Sequence, residues 1–180
     1  MRVIGGIYRS RLLRVPARPG LRPTPDRVRE TLFNWLGQDL GGLACLDLYA
    51  GSGALGFEAA SRGAARVVMV EQDRAAAAGL ERSRDALGAT QVTIVSGDAM
   101  AYLARERESF DLVFLDPPFR QNAVPGILAV LPPRLEPGAR VYVESEAPVD
   151  AAAPWTELRR ARAGQVSYQL LQWNANEGQP

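Results

Sequence analysis

The sequence LACLDLYAGSGALG, residues 43–56, predicts the fold most directly. Its apolar start, residues 43–49, indicates a buried strand, and its glycines indicate a tight turn into a helix over residues 54–62. Ligands of open α/β sheets bind where strands end in such turns, and glycines there let backbone N–H groups approach a ligand closely. We therefore expect this turn to line a ligand site.

Strands and helices alternate after this segment. Further strands are predicted over residues 66–71, 91–96, 110–116 and 139–144, and helices over residues 73–87, 99–106 and 122–131. Apolar strands that alternate with helices are typical of a parallel sheet covered on both faces. Two closing strands, residues 155–162 and 165–173, break the alternation and are expected to be antiparallel. The prediction is an α/β fold with a mostly parallel sheet.

The N-terminal part differs from this core. Residues 1–20 predict a small β unit, with strands over residues 2–4 and 7–15 around a Gly5-Gly6 turn. A helix to about Leu36 follows, capped by Thr24 or Asp26. We divide the chain into an extension (residues 1–40), a core (residues 41–174) and a flexible tail (residues 175–180).

Composition excludes several kinds of site. The 180 residues suit one domain, and the net charge of +1 indicates no particular partner. With one cysteine and no histidine, the chain lacks the residues for an internal disulfide, a Cys/His zinc site or a histidine base. Cys45, in the first strand, is expected to be a buried thiol. No signal peptide or membrane span is predicted, so we expect a cytoplasmic protein.

Arginine is concentrated at the N-terminus. All 21 positive residues are arginine. Six precede the first acidic residue, Asp26: Arg2, Arg9, Arg11, Arg14, Arg18 and Arg22. Such a segment is suited to nucleic-acid phosphates, and Arg2, Arg9, Arg11 and Arg14 are the expected contacts. The alternative is a solvated face that reflects codon bias.

The glycine turn fits two cofactors. With Glu71 downstream to bind a ribose, it matches both a dinucleotide site and an S-adenosylmethionine site. A carboxylate at Asp47 would repel a pyrophosphate but would hold an α-ammonium group, so Asp47 favours S-adenosylmethionine. Asp98 is placed to accept from an adenine amino group, or to cap the helix that begins at Ala99. The expected cofactor contacts in the core are Asp47, Gly51, Gly53, Glu71, Gln72, Asp98, Ala99 and Asp116.

The most specific segment is FDLVFLDPPF, residues 110–119. Two prolines stiffen the turn and remove two donors, which leaves acceptors beside Asp116. Asp116 and the Pro117 carbonyl would accept both protons of an exocyclic base amine and favour a pyramidal nitrogen, while Phe119 would stack on a flipped base. The alternative is an ordinary proline-rich strand exit with a core phenylalanine. Asp111, at the other end of the strand, is expected at the surface.

Together these motifs resemble the RsmD family of 16S ribosomal RNA guanine-N2 methyltransferases. The resemblance covers nearly the whole chain and is carried by residues 2–11, 22–34, 46–56 and 116–119. It implies a Rossmann-like class I methyltransferase fold, with seven strands, an antiparallel last strand and a small N-terminal β/helix extension. It also implies that the helix over Thr24–Asn34 covers the methionine end of the cofactor.

The resemblance extends to the reaction. It implies S-adenosylmethionine without a metal, and methylation of guanine 966 in an assembling small ribosomal subunit; a monomer is expected. Family members often have tyrosine where this chain has Phe119, which keeps the stacking surface without a phenol hydroxyl.

Three other functions are compatible with part of this sequence pattern. Another nucleic-acid or protein amino-methyltransferase would use the same D-P-P-F turn. A nicotinamide oxidoreductase would keep the glycine turn but has no need of Asp116-Pro117-Pro118-Phe119. A scaffold without catalysis is disfavoured because that turn is intact.

Overall fold

The computed structural model describes residues 1–13, 25–118 and 123–175. The helices are α1 (Asp26–Leu36), α2 (Ala54–Ser61), α3 (Arg74–Leu87), α4 (Ala99–Arg105) and α5 (Ala123–Val130). The strands are β1 (Ala44–Asp47), β2 (Arg66–Glu71), β3 (Val92–Ser96), β4 (Phe110–Leu115), β5 (Leu135–Ser145), β6 (Trp155–Ala163) and β7 (Val166–Trp173). The predicted alternation is confirmed; the largest shift in the core is β5, which begins at Leu135 rather than Ala139.

All seven strands form one sheet, in the order β3-β2-β1-β4-β5-β7-β6. β1 to β5 are parallel, and β7 runs antiparallel to both β5 and β6. The predicted antiparallel closing pair is therefore confirmed. The strand order reverses between β1 and β4, because β2 and β3 lie on one side of β1 and the later strands lie on the other. Ligands of such sheets bind at the carboxyl ends of the strands near this point.

Helices cover both faces of the sheet. The face toward α1, α2 and α3 contains Cys45, Phe114 and Tyr142. The strand residues that alternate with these along β1, β4 and β5 lie on the other face, toward α4 and α5. Cys45 is buried, as predicted, and burial raises the pKa of its thiol to about 12. Trp35 of α1 stacks on Tyr168 of β7, with ring centroids 5.4 Å apart.

The N-terminal segment does not form the predicted second strand. Residues 5–10 adopt bends and turns, while residues 1–3 and 10–13 are joined by backbone hydrogen bonds around an isolated bridge between Arg2 and Leu12. The reason lies in α2, because the N–H groups of Ile7 and Tyr8 donate to the carbonyl and the hydroxyl of Ser61 instead of to a partner strand. Gly6 adopts a φ of +71°, and a Cβ there would lie 1.8 Å from the Ser61 carbonyl oxygen.

A buried carboxylate, Glu58 of α2, anchors this segment. It accepts from the backbone N–H groups of Ile4 (2.8 Å) and Gly5 (2.7 Å). It also pairs with Arg62 at 2.9 Å and with Arg29 of α1 at 3.4 Å, and all three charged side chains are almost completely buried. We call Glu58, Arg29 and Arg62 the Glu58 cluster. It connects the N-terminal segment, α1 and α2.

The start of α1 also differs from the prediction. Its N-cap position is Pro25, which makes no side-chain capping bond, and Asp26 is the first helical residue. Asp26 instead pairs with Arg29, with 2.6 Å between Oδ1 and Nη2. Thr24, the other predicted cap, lies outside the described residues.

Among the helices of the described ranges, none is long and apolar enough to cross a membrane.

We expect Glu58→Gln to lower the free energy of unfolding by about 3–5 kcal/mol, the usual cost of breaking a buried ion pair from one side. The amide keeps the shape but leaves Arg62 buried without its carboxylate and leaves Arg29 with the Asp26 carboxylate alone. Urea unfolding measures the change. Glu81→Gln, on the exposed side of α3, is the matched control and should stay near the parent stability. Equal stability of the two variants would contradict an anchoring role for Glu58.

Candidate active site

Four parallel strands carry an acidic residue at the same edge of the sheet. These residues are Asp47 (β1), Glu71 (β2), Asp116 (after β4) and Glu144 (β5). In the sheet register, Asp47 lies opposite Phe114, and Leu115 lies opposite Val143. Asp116 and Glu144 follow that last pair, so they end adjacent strands side by side. The carboxyl edge of the sheet is therefore strongly acidic.

Burial and mutual repulsion disfavour ionisation of two of these acids, Asp47 and Asp116. Burial raises the pKa of Asp47 to about 7, against two backbone N–H bonds that lower it, and Glu71 and Glu144 add to the rise. The pKa of Asp116 is raised well above its usual value by burial, then by Glu144 and Asp47. The charged groups that cause these shifts are all carboxylates. Such a cluster is suited to a cationic ligand, which would favour the ionised forms.

Asp47 and Glu71 also hold the glycine turn in place. Asp47 accepts from the N–H of Gly56 (3.1 Å) in the first turn of α2, whose N-cap residue, Gly53, has no capping side chain. One oxygen of Glu71 accepts from the N–H of Gly51, and the other from Asp73, both at 2.8 Å. Both acids therefore have a structural role, and the ligand roles expected of them stay predictions.

The glycines of the turn are needed partly for packing. Gly53 has a φ of +75°, and a Cβ there would lie 2.6 Å from the Phe57 ring. A Cβ at Gly56 would lie 2.4 Å from the Met69 methyl group. The N–H of Gly51, expected to face a ligand, donates to Glu71 instead. Close approach of a ligand is thus one of several constraints on this turn.

The third strand ends at Asp98, which caps α4 by accepting from the N–H of Ala101 at 2.9 Å. The capping interpretation is therefore confirmed, and contact with an adenine stays a prediction. The Asp98 carboxylate is exposed, as is Gln72 after β2, while Ala99 is the buried first residue of α4. All three lie at the carboxyl edge, where the predicted cofactor contacts were expected.

The predicted catalytic turn begins at the same edge. Asp116 is half-buried, Pro117 is buried and Pro118 is exposed. Phe119 lies outside the described residues, so its stacking role stays a prediction. Asp111, which was expected at the surface, is half-buried. Its side chain accepts from the N–H of Ala44 at 2.8 Å, which secures the start of β1.

Sequence reasoning missed Glu144. Its side chain is almost fully buried, with 5% exposed, and it accepts a hydrogen bond from the hydroxyl of Tyr142 at 2.9 Å. It borders a groove of about 1430 Å³ that also reaches Pro117 and Pro118. A signal was present in the sequence, because the predicted strand over residues 139–144 ends in an acid, as the predicted strands over residues 66–71 and 110–116 do.

The predicted RNA contacts lie elsewhere. Arg2, Arg9 and Arg11 are exposed. The guanidinium of Arg11 donates to the Ala86 carbonyl (2.9 Å), near the end of α3. The ends of α2 and α3 lead into the starts of β2 and β3, so the turn over residues 5–10 lies toward the amino edge. The structure therefore does not bring Arg9 and Arg11 to the catalytic turn. The other predicted contact, Arg14, lies outside the described residues, as do Arg18 and Arg22.

No group of three or more His, Cys, Asp or Glu residues within the described ranges has the arrangement of a metal site.

Comparisons with known proteins agree with this geometry. A family model described as conserved hypothetical protein 95 matches residues 1–172. Ribosomal RNA small subunit methyltransferase D of Escherichia coli (strain K12) is 44% identical over 182 residues, which cover 97% of this chain and 91% of that protein. The protein of the same name from Haemophilus influenzae is 41% identical over 180 residues, covering 96% and 93%.

Similarity of structure leads to the same group. The solved structure of yhhF from Escherichia coli has a TM-score of 0.90 and 44% identity, with 98% of this chain and 99% of that chain covered. Both the sequence and the architecture are thus shared along almost the whole length. The chain belongs to the RsmD family of ribosomal RNA small subunit methyltransferases.

Proposed function

We propose that this protein transfers the methyl group of S-adenosylmethionine to the exocyclic N2 of a guanine in small-subunit ribosomal RNA. The observation that carries the proposal is the position of Asp116. This half-buried carboxyl group follows β4, precedes a stiff Pro117-Pro118 turn and has a raised pKa within the acidic edge. The relatives' names support small-subunit RNA as the substrate.

The residues at the carboxyl edge fit this cofactor. S-adenosylmethionine supplies a methyl group on a positively charged sulfur and also has a cationic α-ammonium group. Asp47 would bind the ammonium group, Glu71 the ribose hydroxyls and Asp98 the adenine amino group. In the acidic cluster, burial and then neighbouring carboxylates raise the pKa of Asp47 and Asp116, which favours a ligand that is cationic at this end.

Asp116 and Pro117 would prepare the target amine. The Asp116 carboxylate and the Pro117 carbonyl would accept its two protons and direct the nitrogen lone pair at the methyl group. A carboxyl group with a raised pKa is also a better base than an ordinary aspartate, so Asp116 is suited to receive the proton that the nitrogen loses. Phe119 would stack on the flipped base.

We expect Asp116→Ala to lower the rate of methyl transfer by about 10²–10⁴ while the affinity for S-adenosylhomocysteine changes little, because the carboxylate acts on the amine. Single-turnover transfer and calorimetric titration measure the two quantities. Glu81→Ala, on the exposed side of α3, is the control. Near-normal transfer by Asp116→Ala would show that this residue is structural.

We expect the affinity for S-adenosylhomocysteine to fall as the pH is lowered from about 8 to 6. The pKa of Asp47 is about 7 in the free protein, so the ionised form that binds the ammonium group is lost across this range. Titration calorimetry at several pH values measures the profile. Asp47→Asn should bind more weakly at pH 8 and flatten the profile. An unchanged profile in that variant would contradict ammonium binding by Asp47.

We expect Arg9→Ala to weaken RNA binding and to make the log–log salt dependence shallower by roughly 0.7–0.9, the effect of losing one phosphate contact. Arg107→Ala is the matched control, because Arg107 is also exposed and lies in the loop before β4, at the amino edge. Binding over a range of salt concentrations distinguishes the two. If Arg9→Ala keeps the parent slope, Arg9 belongs to a solvated face.

A further inference from the structure

We propose that Glu144 selects guanine by accepting a hydrogen bond from N1–H of the flipped base, next to the amine held by Asp116. This inference rests on the proposed function and adds a specificity-determining residue to the same site. It follows from the sheet register, from the contacts of Glu144 and from the donor pattern of guanine.

The register fixes the relative positions of the two carboxylates. Leu115 of β4 is paired with Val143 of β5, so Asp116 and Glu144 come next on neighbouring strands. Phe114 lies two residues before Asp116, and Tyr142 lies two residues before Glu144. The two aromatic residues share one face of the sheet, and their rings are in edge contact with centroids 6.5 Å apart. Neighbouring parallel strands lie about 4.8 Å apart. The two carboxylates are therefore close enough to act on adjacent groups of one planar ring.

One hydrogen bond and one adjoining groove suit Glu144 to this role. The Tyr142 hydroxyl donates to one of its oxygens at 2.9 Å, which restricts the rotation of the carboxylate. The residue also borders the groove that reaches Pro117 and Pro118, so it adjoins the space beside the catalytic turn although only 5% of it is exposed. Tyr142 is thus a positioning residue for Glu144.

The edge of guanine matches this arrangement. Guanine presents N1–H directly beside its N2 amine, so both adjacent positions are donors. A carboxylate accepts from such a pair but has no proton to offer when ionised. Adenine has an unprotonated N1 beside its amine, and a carboxylate facing it would leave two acceptors in contact. A site built to accept a substrate N–H group discriminates strongly against an analogue that lacks it. Glu144 would therefore exclude adenine, while Asp116 would accept a hydrogen bond from the amine.

The test compares two bases that both have the N2 amine. Small-subunit ribosomal RNA is prepared with guanosine or 2-aminopurine ribonucleoside at the target position and assembled into the subunit particle. 2-Aminopurine keeps the exocyclic amine but has an unprotonated N1. Methyl transfer to each is measured as kcat/KM for the parent protein, Glu144→Gln and Asp116→Asn.

We expect Glu144→Gln to lower kcat/KM for guanosine roughly 10- to 100-fold. The amide oxygen would keep the hydrogen bond from the Tyr142 hydroxyl, so the amide NH2 would face N1–H and the hydrogen bond to a charged group would be lost. Transfer to 2-aminopurine should hold or rise, because the amide NH2 can donate to the unprotonated N1. The preference for guanosine should therefore fall by at least about tenfold. Asp116→Asn should lower both values in similar proportion. Because both bases meet the same protein, a partly unfolded variant cannot mimic a change in their ratio.

An unchanged preference in Glu144→Gln, with normal discrimination by the parent protein, would overturn the role of Glu144 and leave the proposed function standing. If the parent protein methylates neither base, the proposed function itself fails.

Discussion

The Glu58 cluster is the interaction on which the rest of the structure depends. A carboxylate with no exposed surface needs several donors, and here they come from three parts of the chain: the backbone of the N-terminal segment, Arg29 of α1 and Arg62 at the end of α2. Every residue of α2 is buried as a result. Since α2 begins at the glycine turn, the position of that turn over the sheet depends on contacts made around Glu58.

The acidic edge has the opposite character. The Glu58 cluster joins charges of both signs, whereas Asp47, Asp116 and Glu144 repel one another. The pKa values of Asp47 and Asp116 are raised, by burial first and then by neighbouring carboxylates, so ionisation of these two residues is disfavoured. Parallel pairing enforces this proximity, because strands of one direction bring their carboxyl ends to one edge. Holding the acids together there costs free energy, and the attraction of a bound cation offsets that cost. The fold and the ligand preference are linked through strand direction.

Much of this architecture was predictable, and the exceptions have physical causes. The pattern from residue 43 onward predicts the core because hydrophobic periodicity and the glycine turn agree. The strand predicted from residue 7 does not form over residues 7–10, because the N–H groups of Ile7 and Tyr8 donate to Ser61, far away in sequence. The structural contact of Asp111 was missed for a similar reason, since its partner is the N–H of Ala44 on another strand. For the site, the sequence indicated Asp47, Glu71 and Asp116, but only the register shows that Glu144 lies next to Asp116.

The complete burial of α2 has a consequence for how the protein opens. The amides of a helix exchange with solvent only after whatever covers them has moved away. Here the cover is residues 1–13, which are held by the backbone of Ser61 and by Glu58. Release of the N-terminal segment would leave the Glu58 carboxylate without two of its donors, the N–H groups of Ile4 and Gly5. These hydrogen bonds cross the predicted boundary near residue 40.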